Sequence, residues 1–77
     1  MKTNELELIL KKKNVPCDMY SILKGGFPRE SYCLVQNVNN WEVYYSERGT
    51  KRGVKYFNTE DEACDYLLKK LERYSEQ

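Results

Sequence analysis

The sequence predicts an α+β two-layer sandwich, in which an N-terminal and a C-terminal helix cover one face of an antiparallel three- to four-stranded sheet (α-β-β-β-(β)-α). Three observations predict this fold. Apolar residues recur at helical spacing near both ends, the middle of the chain alternates with a period of two, and short turns separate the strands. The 77 residues have room for a single domain, residues 1–77, with one core.

The first helix is predicted to run from Asn4 to Lys13. Asn4 is a favourable N-cap residue, and Glu7 stands three residues later, where it can complete a capping box. Pro16 ends the helix, because a proline biases the residue before it away from helical backbone angles.

Residues 19–23 are predicted to form a short strand or an extended piece, and strands are predicted at residues 31–36, 41–47 and 54–57. Turns are expected at Gly25-Gly26-Pro28, at residues 37–40 and in the loop 48–53. For residues 31–36, alternation leaves two core pairs open, Tyr32 with Leu34 or Cys33 with Val35.

The strand 41–47 divides into two sets of side chains that point to opposite faces of the sheet. The more apolar set is expected to face the helices, and the other set to lie on an open face. The first set is Trp41, Val43 and Tyr45, and the second is Glu42, Tyr44 and Ser46.

The last helix follows Thr59, which is its predicted cap, and Glu62 completes a capping box. Acidic residues in its first turn and basic residues in its last suit the helix dipole. Its predicted apolar face consists of Ala63, Tyr66, Leu67, Lys70, Leu71 and Tyr74.

Composition narrows the chemistry. The chain has no histidine, which excludes Ser–His and Cys–His nucleophile pairs. Three cysteines without a C-x-x-C pair predict buried, reduced thiols, and neither a metal nor a cofactor is expected. We predict no enzymatic activity. No apolar run reaches the length of a membrane span and the N-terminus does not resemble a signal peptide, so a cytoplasmic location is expected.

Two surface features favour a binding function. The chain has seven tyrosines and two phenylalanines, and a core of this size cannot satisfy that many hydroxyls, so some tyrosines are expected at an interface. Ordinary sheet packing is the alternative for each tyrosine. The basic loop carries Arg48, Lys51, Arg52 and Lys55, which form either an anion-recognition patch or a soluble turn.

The order helix, strands, helix is also that of a double-stranded RNA-binding domain. Such a domain needs basic groups at the start of its last helix, where phosphate would bind. Here that position reads Thr59-Glu60-Asp61-Glu62, which would repel a phosphate. The sequence therefore disfavours this interpretation.

Three segments, GGFPRESYCL (25–34), WEVYYSERGTKRGVKYF (41–57) and NTEDEACDYLLKKL (58–71), resemble small immunity proteins of bacterial polymorphic-toxin systems of the contact-dependent inhibition type. The resemblance covers roughly residues 20–71. It implies a cytoplasmic protein that binds a cognate toxin domain, often a nuclease, and neutralises it by stoichiometric occlusion without chemistry of its own. The acidic start of the last helix would then occupy a basic active site, although these acids can equally serve only to cap the helix.

The residues predicted to contact the partner come from the strand, the loop and the last helix. They are Glu42, Tyr44, Glu47, Arg48, Arg52, Glu60, Asp61, Glu62 and Asp65. The alternative function is a small nucleic-acid-binding regulator that uses the basic loop 48–55, and a third is a self-associating structural protein. The toxin's activity, active-site or exosite inhibition, and the oligomeric state stay open.

Overall fold

In the computed structural model, two helices flank four strands along the chain, as the α+β prediction requires. The structure describes residues 1–26, 28 and 30–74. Short 3-10 helices, which the sequence did not predict, lie at Cys17–Met19 and Glu72–Tyr74. The main elements are α1 (Thr3–Lys12), β1 (Tyr20–Ile22), β2 (Ser31–Gln36), β3 (Trp41–Glu47), β4 (Thr50–Phe57) and α2 (Glu60–Leu71).

Helix α1 begins one residue earlier than predicted. Its N-cap is Lys2, whose backbone N–H donates to the Glu5 carboxylate at 3.3 Å. Asn4 therefore lies inside the first turn, and the predicted capping box of Asn4 with Glu7 is wrong. A lysine N-cap gives no side-chain cap, so the start of α1 depends on acceptors from elsewhere.

The end of α1 is a Schellman motif. Asn14 has a left-handed φ of 58°, and its N–H donates to Lys11 at 3.1 Å. The N–H of Val15 donates to the Leu10 carbonyl at 3.0 Å. Both Val15 and Leu10 are buried in the core, which is the apolar contact that usually accompanies this motif.

The four strands form one sheet in the order β1-β2-β3-β4. Strands β2, β3 and β4 pair antiparallel as predicted, but β1 pairs parallel to β2, so the predicted purely antiparallel sheet is wrong. The physical reason is the connection 23–30. It was interpreted as a turn, whereas a parallel neighbour requires a crossover that returns the chain to the same end of the sheet.

Strand register decides which residues of β2 face the helices. Leu34 pairs with Val43, and Tyr32 pairs with Tyr45. Leu34 and Val43 are in the core with both helices, and Tyr32 and Trp41 pack against it, so the prediction for Trp41 and Val43 is confirmed. We call this side of the sheet the helix face. The core consists of Leu6, Leu10, Val15, Ile22, Leu34, Val43, Ala63, Cys64, Leu67 and Leu71.

Helix α2 follows its prediction closely. The Thr59 hydroxyl accepts from the N–H of Glu62 at 3.2 Å, which confirms Thr59 as the cap, and it donates to the Glu62 carboxylate at 3.1 Å in place of the backbone bond of the predicted capping box. Leu67 and Leu71 are fully buried, while Tyr66 and Lys70 are half-buried at the side of the helix.

Candidate functional site

The sheet has a second face, which carries Cys33, Val35, Glu42 and Tyr44 and was predicted to be open. The structure contradicts this prediction, because Gly25 and Gly26 of the β1–β2 connection lie over it. The Tyr44 hydroxyl donates to the Gly26 carbonyl at 2.7 Å, and Gly25 lies above the Val35 side chain. Tyr44 is 1% exposed and Glu42 is 5% exposed, so neither is a surface contact residue.

Ser46 also lies on this second face and is buried, not open as predicted. Its hydroxyl has no hydrogen-bond partner within the described part of the chain. A buried polar atom without a partner normally costs stability. The second face therefore combines apolar, thiol and hydroxyl groups under a covering segment.

Lys51 of β4 is itself exposed, but its ammonium group reaches the buried side chains of the second face. Its Nζ lies 3.1 Å from the Glu42 carboxylate and 4.6 Å from the centre of the Tyr44 ring. Asn37 also donates to Glu42, at 3.1 Å. Glu42 is thus a structural carboxylate that is fixed by two donors, and the sequence prediction missed this because it placed Lys51 in a loop.

Burial controls the titration of the Tyr44 phenol and the Cys33 thiol. It raises the pKa of Tyr44 to about 12, and the neighbouring Cys33 adds to the rise. Burial also raises the pKa of Cys33, against the opposing effect of the Tyr44 hydrogen bond. Both groups are therefore neutral at physiological pH, and Cys33 is not an activated thiolate.

The predicted basic loop is largely a strand. The chain reverses at Arg48 and Gly49, which both have positive φ, of 51° and 76°, as a two-residue hairpin turn requires. Strand β4 then begins at Thr50, and alternation sends Lys51 and Arg52 to opposite faces. Lys51 is therefore separated from Arg52 and Lys55, which pair with Tyr45 and Val43 of the helix face, although all four basic residues of the segment 48–55 are exposed.

Arg52 lies on the helix face, opposite Tyr45. Its Nε is 3.0 Å from a Glu47 carboxylate oxygen, so two predicted contact residues, Arg52 and Glu47, form an ion pair at the surface. Exposed ion pairs of this kind contribute little to stability. The Arg52 side chain is 65% exposed and the Glu47 side chain is 33% exposed, so solvent screens this ion pair.

The acidic start of α2 is largely structural. Glu60 accepts a hydrogen bond from the backbone N–H of Thr3 at 2.8 Å, and so supplies the acceptor that the start of α1 lacks. Asp61 forms an ion pair with the amino group of Met1, and the Glu62 carboxylate accepts from the Thr59 hydroxyl. Asp65 is exposed one turn later.

An open cleft lies between α2 and the strands β3 and β4 on the helix face. Its volume is about 210 Å³. The sequence analysis did not predict this feature. We call it the tyrosine cleft. It is lined by Tyr32, Tyr45, Arg52, Gly53, Tyr66 and Lys70, together with the buried residues Val43 and Tyr44.

The walls of the tyrosine cleft are aromatic and its rim is cationic. The rings of Tyr32 and Tyr45 lie 4.9 Å apart. On the opposite wall the Tyr66 ring packs against Phe57 at 5.2 Å, and Lys70 lies 5.4 Å from the centre of Tyr66.

A bulge in β4 lies at the edge of the tyrosine cleft. Val43 pairs with Lys55 but Tyr45 pairs with Arg52, so Gly53 and one further residue stand opposite a single residue of β3. Gly53 has a φ of 58°, and a Cβ there would meet no atom within 4 Å. The glycine therefore serves the backbone conformation and leaves open space at the edge of the cleft.

The cysteines divide between core and surface. Cys33 and Cys64 are buried as predicted, whereas Cys17 is exposed and contradicts the prediction of three buried thiols. Burial raises the pKa of Cys64 to about 11, and Glu60 adds to the rise. Within residues 1–26, 28 and 30–74, no group of three Cys, Asp or Glu side chains is arranged to hold a metal ion.

Comparisons with known proteins give no family. No protein-family model, no curated protein and no solved structure matches the chain. In the part of the chain that the structure describes, no helix has the length and apolar character needed to cross a membrane.

Proposed function

We propose that this chain is a cytoplasmic immunity protein that binds a cognate bacterial toxin domain and neutralises it by stoichiometric occlusion. The observation that supports this proposal most is the tyrosine cleft. Tyr and Arg are the residue types that most often anchor protein interfaces, and they do so where a pocket is available to them. Here three tyrosines and an arginine surround one open cleft on the helix face.

The proposed contact surface differs from the one predicted from sequence. Glu42 and Tyr44 leave it because they are buried. Glu47, Arg48 and Arg52 remain, at the β3–β4 end beside the cleft. Of the acidic residues, Asp65 is the best candidate for contact, since Glu60, Asp61 and Glu62 already bind groups within the chain.

The charge arrangement supports a protein partner more than a nucleic acid. Two of the four basic residues of the segment 48–55 are paired with carboxylates, Lys51 with Glu42 and Arg52 with Glu47. Affinity for a phosphate backbone depends on cations that can replace bound counterions. Mixed charge of this kind instead favours specificity and register against a protein surface.

The test is co-expression with the product of each adjacent reading frame, followed by co-purification and a toxicity assay. We expect a one-to-one complex and loss of toxicity. If no adjacent product is captured and the chain instead binds RNA or DNA with a steep salt dependence, the proposal is wrong and the nucleic-acid alternative replaces it.

A single charge reversal then tests whether the acidic side of α2 approaches a basic site. We expect Asp65→Lys to slow association about 2- to 10-fold at low salt, with the difference disappearing at high salt. The matched control is Glu72→Lys, which makes the same charge change at the other end of α2. Equal association rates for the two variants at low salt would contradict the electrostatic role of Asp65.

A further inference from the structure

We infer that the tyrosine cleft is a receptor for one acidic side chain, a glutamate or aspartate, presented by the partner protein. The identity of that partner as a toxin rests on the proposed function, whereas the chemistry of the cleft rests on its own residues. The inference depends on the size of the cleft, its charge and its walls.

The size of the cleft indicates how large a group can enter. Pockets for drug-sized ligands and cofactors measure about 300–1,000 Å³. The tyrosine cleft measures about 210 Å³ and is open on one side. It therefore suits a single side chain that enters from a docked surface.

The charge of the cleft favours an anionic guest. Arg52 and Lys70 line it, and no carboxylate does so among the described residues. Glu47 contacts the Nε of Arg52, and within the described chain Lys70 has no carboxylate partner within 4 Å. A carboxylate at the rim would gain charge-assisted hydrogen bonds from both cations.

Further charged residues lie near the tyrosines of the cleft and influence their pKa values. Burial raises the pKa of Tyr32, and Arg73 is close enough to oppose that rise. Burial raises the pKa of Tyr45, and Glu30 and Glu47 add to the rise; Glu30 lines a neighbouring depression that shares Tyr45 with the cleft. The charged side chains that line the cleft itself are thus the cations Arg52 and Lys70, while the acids stand outside its lining.

The walls distinguish an acidic side chain from a larger anion. Tyrosine rings pack against methylene groups and their hydroxyls donate hydrogen bonds, so they suit the stem and the carboxylate of a glutamate. An extended polyphosphate would also meet Glu62 and Asp65, which are exposed on the preceding turns of α2. A compact acidic side chain avoids this repulsion.

Titration of the isotope-labelled full chain with a blocked glutamate, N-acetyl-glutamate N-methylamide, tests this inference by NMR. Single side chains bind with dissociation constants in the millimolar range or weaker, so the titration extends to about 100 mM. We expect saturable shifts of the Arg52 and Gly53 amides and of the Tyr45 and Tyr66 rings. The matched titration uses blocked glutamine at equal ionic strength and should give at least a tenfold weaker response.

Two double variants separate the cleft from general surface charge. Arg52→Gln with Lys70→Gln should weaken the response at least tenfold. Lys55→Gln with Lys69→Gln removes the same charge from two other exposed positions and should leave the response unchanged. An equal loss in both variants would show that bulk charge attracts the probe and would overturn the inference.

Inorganic phosphate is the last probe. If phosphate shifts the cleft resonances and blocked glutamate does not, the cleft is a small-anion site and the inference is wrong. If neither probe shifts them, the cleft is not an anion receptor. Either result leaves the co-purification test untouched, so failure of the cleft inference is distinguishable from failure of the proposed function.

Discussion

Replacing Tyr44 with phenylalanine removes one hydroxyl from beneath the crossover 23–30. That hydroxyl donates to the Gly26 carbonyl at 2.7 Å, while the ring lies 4.6 Å from the Lys51 ammonium. The substitution keeps the ring, and therefore the packing and the cation–π contact. The expected effect is limited to the hydrogen bond and to the ionisation of the phenol.

At pH 7 the loss should be about 1 kcal/mol of unfolding free energy, the net value of one hydrogen bond. At high pH the effect of Tyr44→Phe on the unfolding free energy changes sign. The pKa of Tyr44 rises from 10.0 in the unfolded chain to about 12 in the folded protein. The stability that the buried, neutral phenol of Tyr44 contributes is therefore fully present below pH 10, and it is lost as the pH rises through 12.

These values give the pH at which the wild-type chain and Tyr44→Phe are equally stable. At pH 11 the unfolded phenol is mostly ionised and the folded one is mostly neutral, which removes about 1.4 kcal/mol from the wild-type chain. Tyr44→Phe has no such loss. The two chains should therefore be about equally stable near pH 11, and the variant should be the more stable above it.

The measurement is urea unfolding at pH 7 and at steps from 9 to 11.5, followed by circular dichroism and by Trp41 fluorescence. The control is Tyr56→Phe, which removes a hydroxyl from a side chain that is 62% exposed, and which should stay close to wild type at pH 7. A gap between wild type and Tyr44→Phe that is the same at pH 7 and pH 11 would refute the reasoning. So would an unchanged stability at pH 7.

Two further predictions concern the hairpin turn and the start of α1. Arg48→Asn should raise the unfolding free energy by about 0.5–1 kcal/mol in urea unfolding, because Arg48 has a φ of 51° and Asn tolerates that backbone conformation better; a drop in stability would contradict this. Glu60→Ala should lower it by about 1 kcal/mol, because the Thr3 N–H loses its acceptor. Asp65→Ala is the control and should change it by less than about 0.5 kcal/mol, so equal losses in both would show that general charge matters more than the contact.

The local elements could be predicted because their signals are local. Thr59, Glu62 and the dipole-matched charges mark the start of α2 within a few residues, and the structure confirms them. The start of α1 was placed wrongly because its main acceptor, Glu60, is distant in sequence and belongs to the other helix. No pattern near Thr3 carries that information.

The sheet was predictable in its alternation and not in its pairing. The period of two placed Val43 on the helix face and Tyr44 opposite it, which is correct. Alternation does not reveal what covers the opposite face, so Glu42 and Tyr44 were wrongly expected at the surface. The parallel direction of β1 was also missed, because the eight residues between β1 and β2 were interpreted as a turn. They connect two parallel strands instead.

The tyrosine cleft escaped prediction because it depends on the bulge at Gly53. The glycine was interpreted as the end of a loop, and Lys51 and Arg52 as neighbours in one basic patch. Once β4 begins at Thr50, the same residues become a strand, and each charge belongs to a different face of the sheet. Only then do Arg52 and Lys70, 18 positions apart in the sequence, line one cleft.

The bulge also bears on how a partner could dock. Strand β4 is at the edge of the sheet, and an exposed edge invites pairing with another chain. A bulge and charged side chains interrupt such pairing, and β4 carries the bulge at Gly53 together with Lys51, Arg52 and Lys55. The irregularity that makes the edge a poor template for a further strand also lies beside the cleft, so this side of the molecule favours recognition by side chains over recognition by backbone pairing.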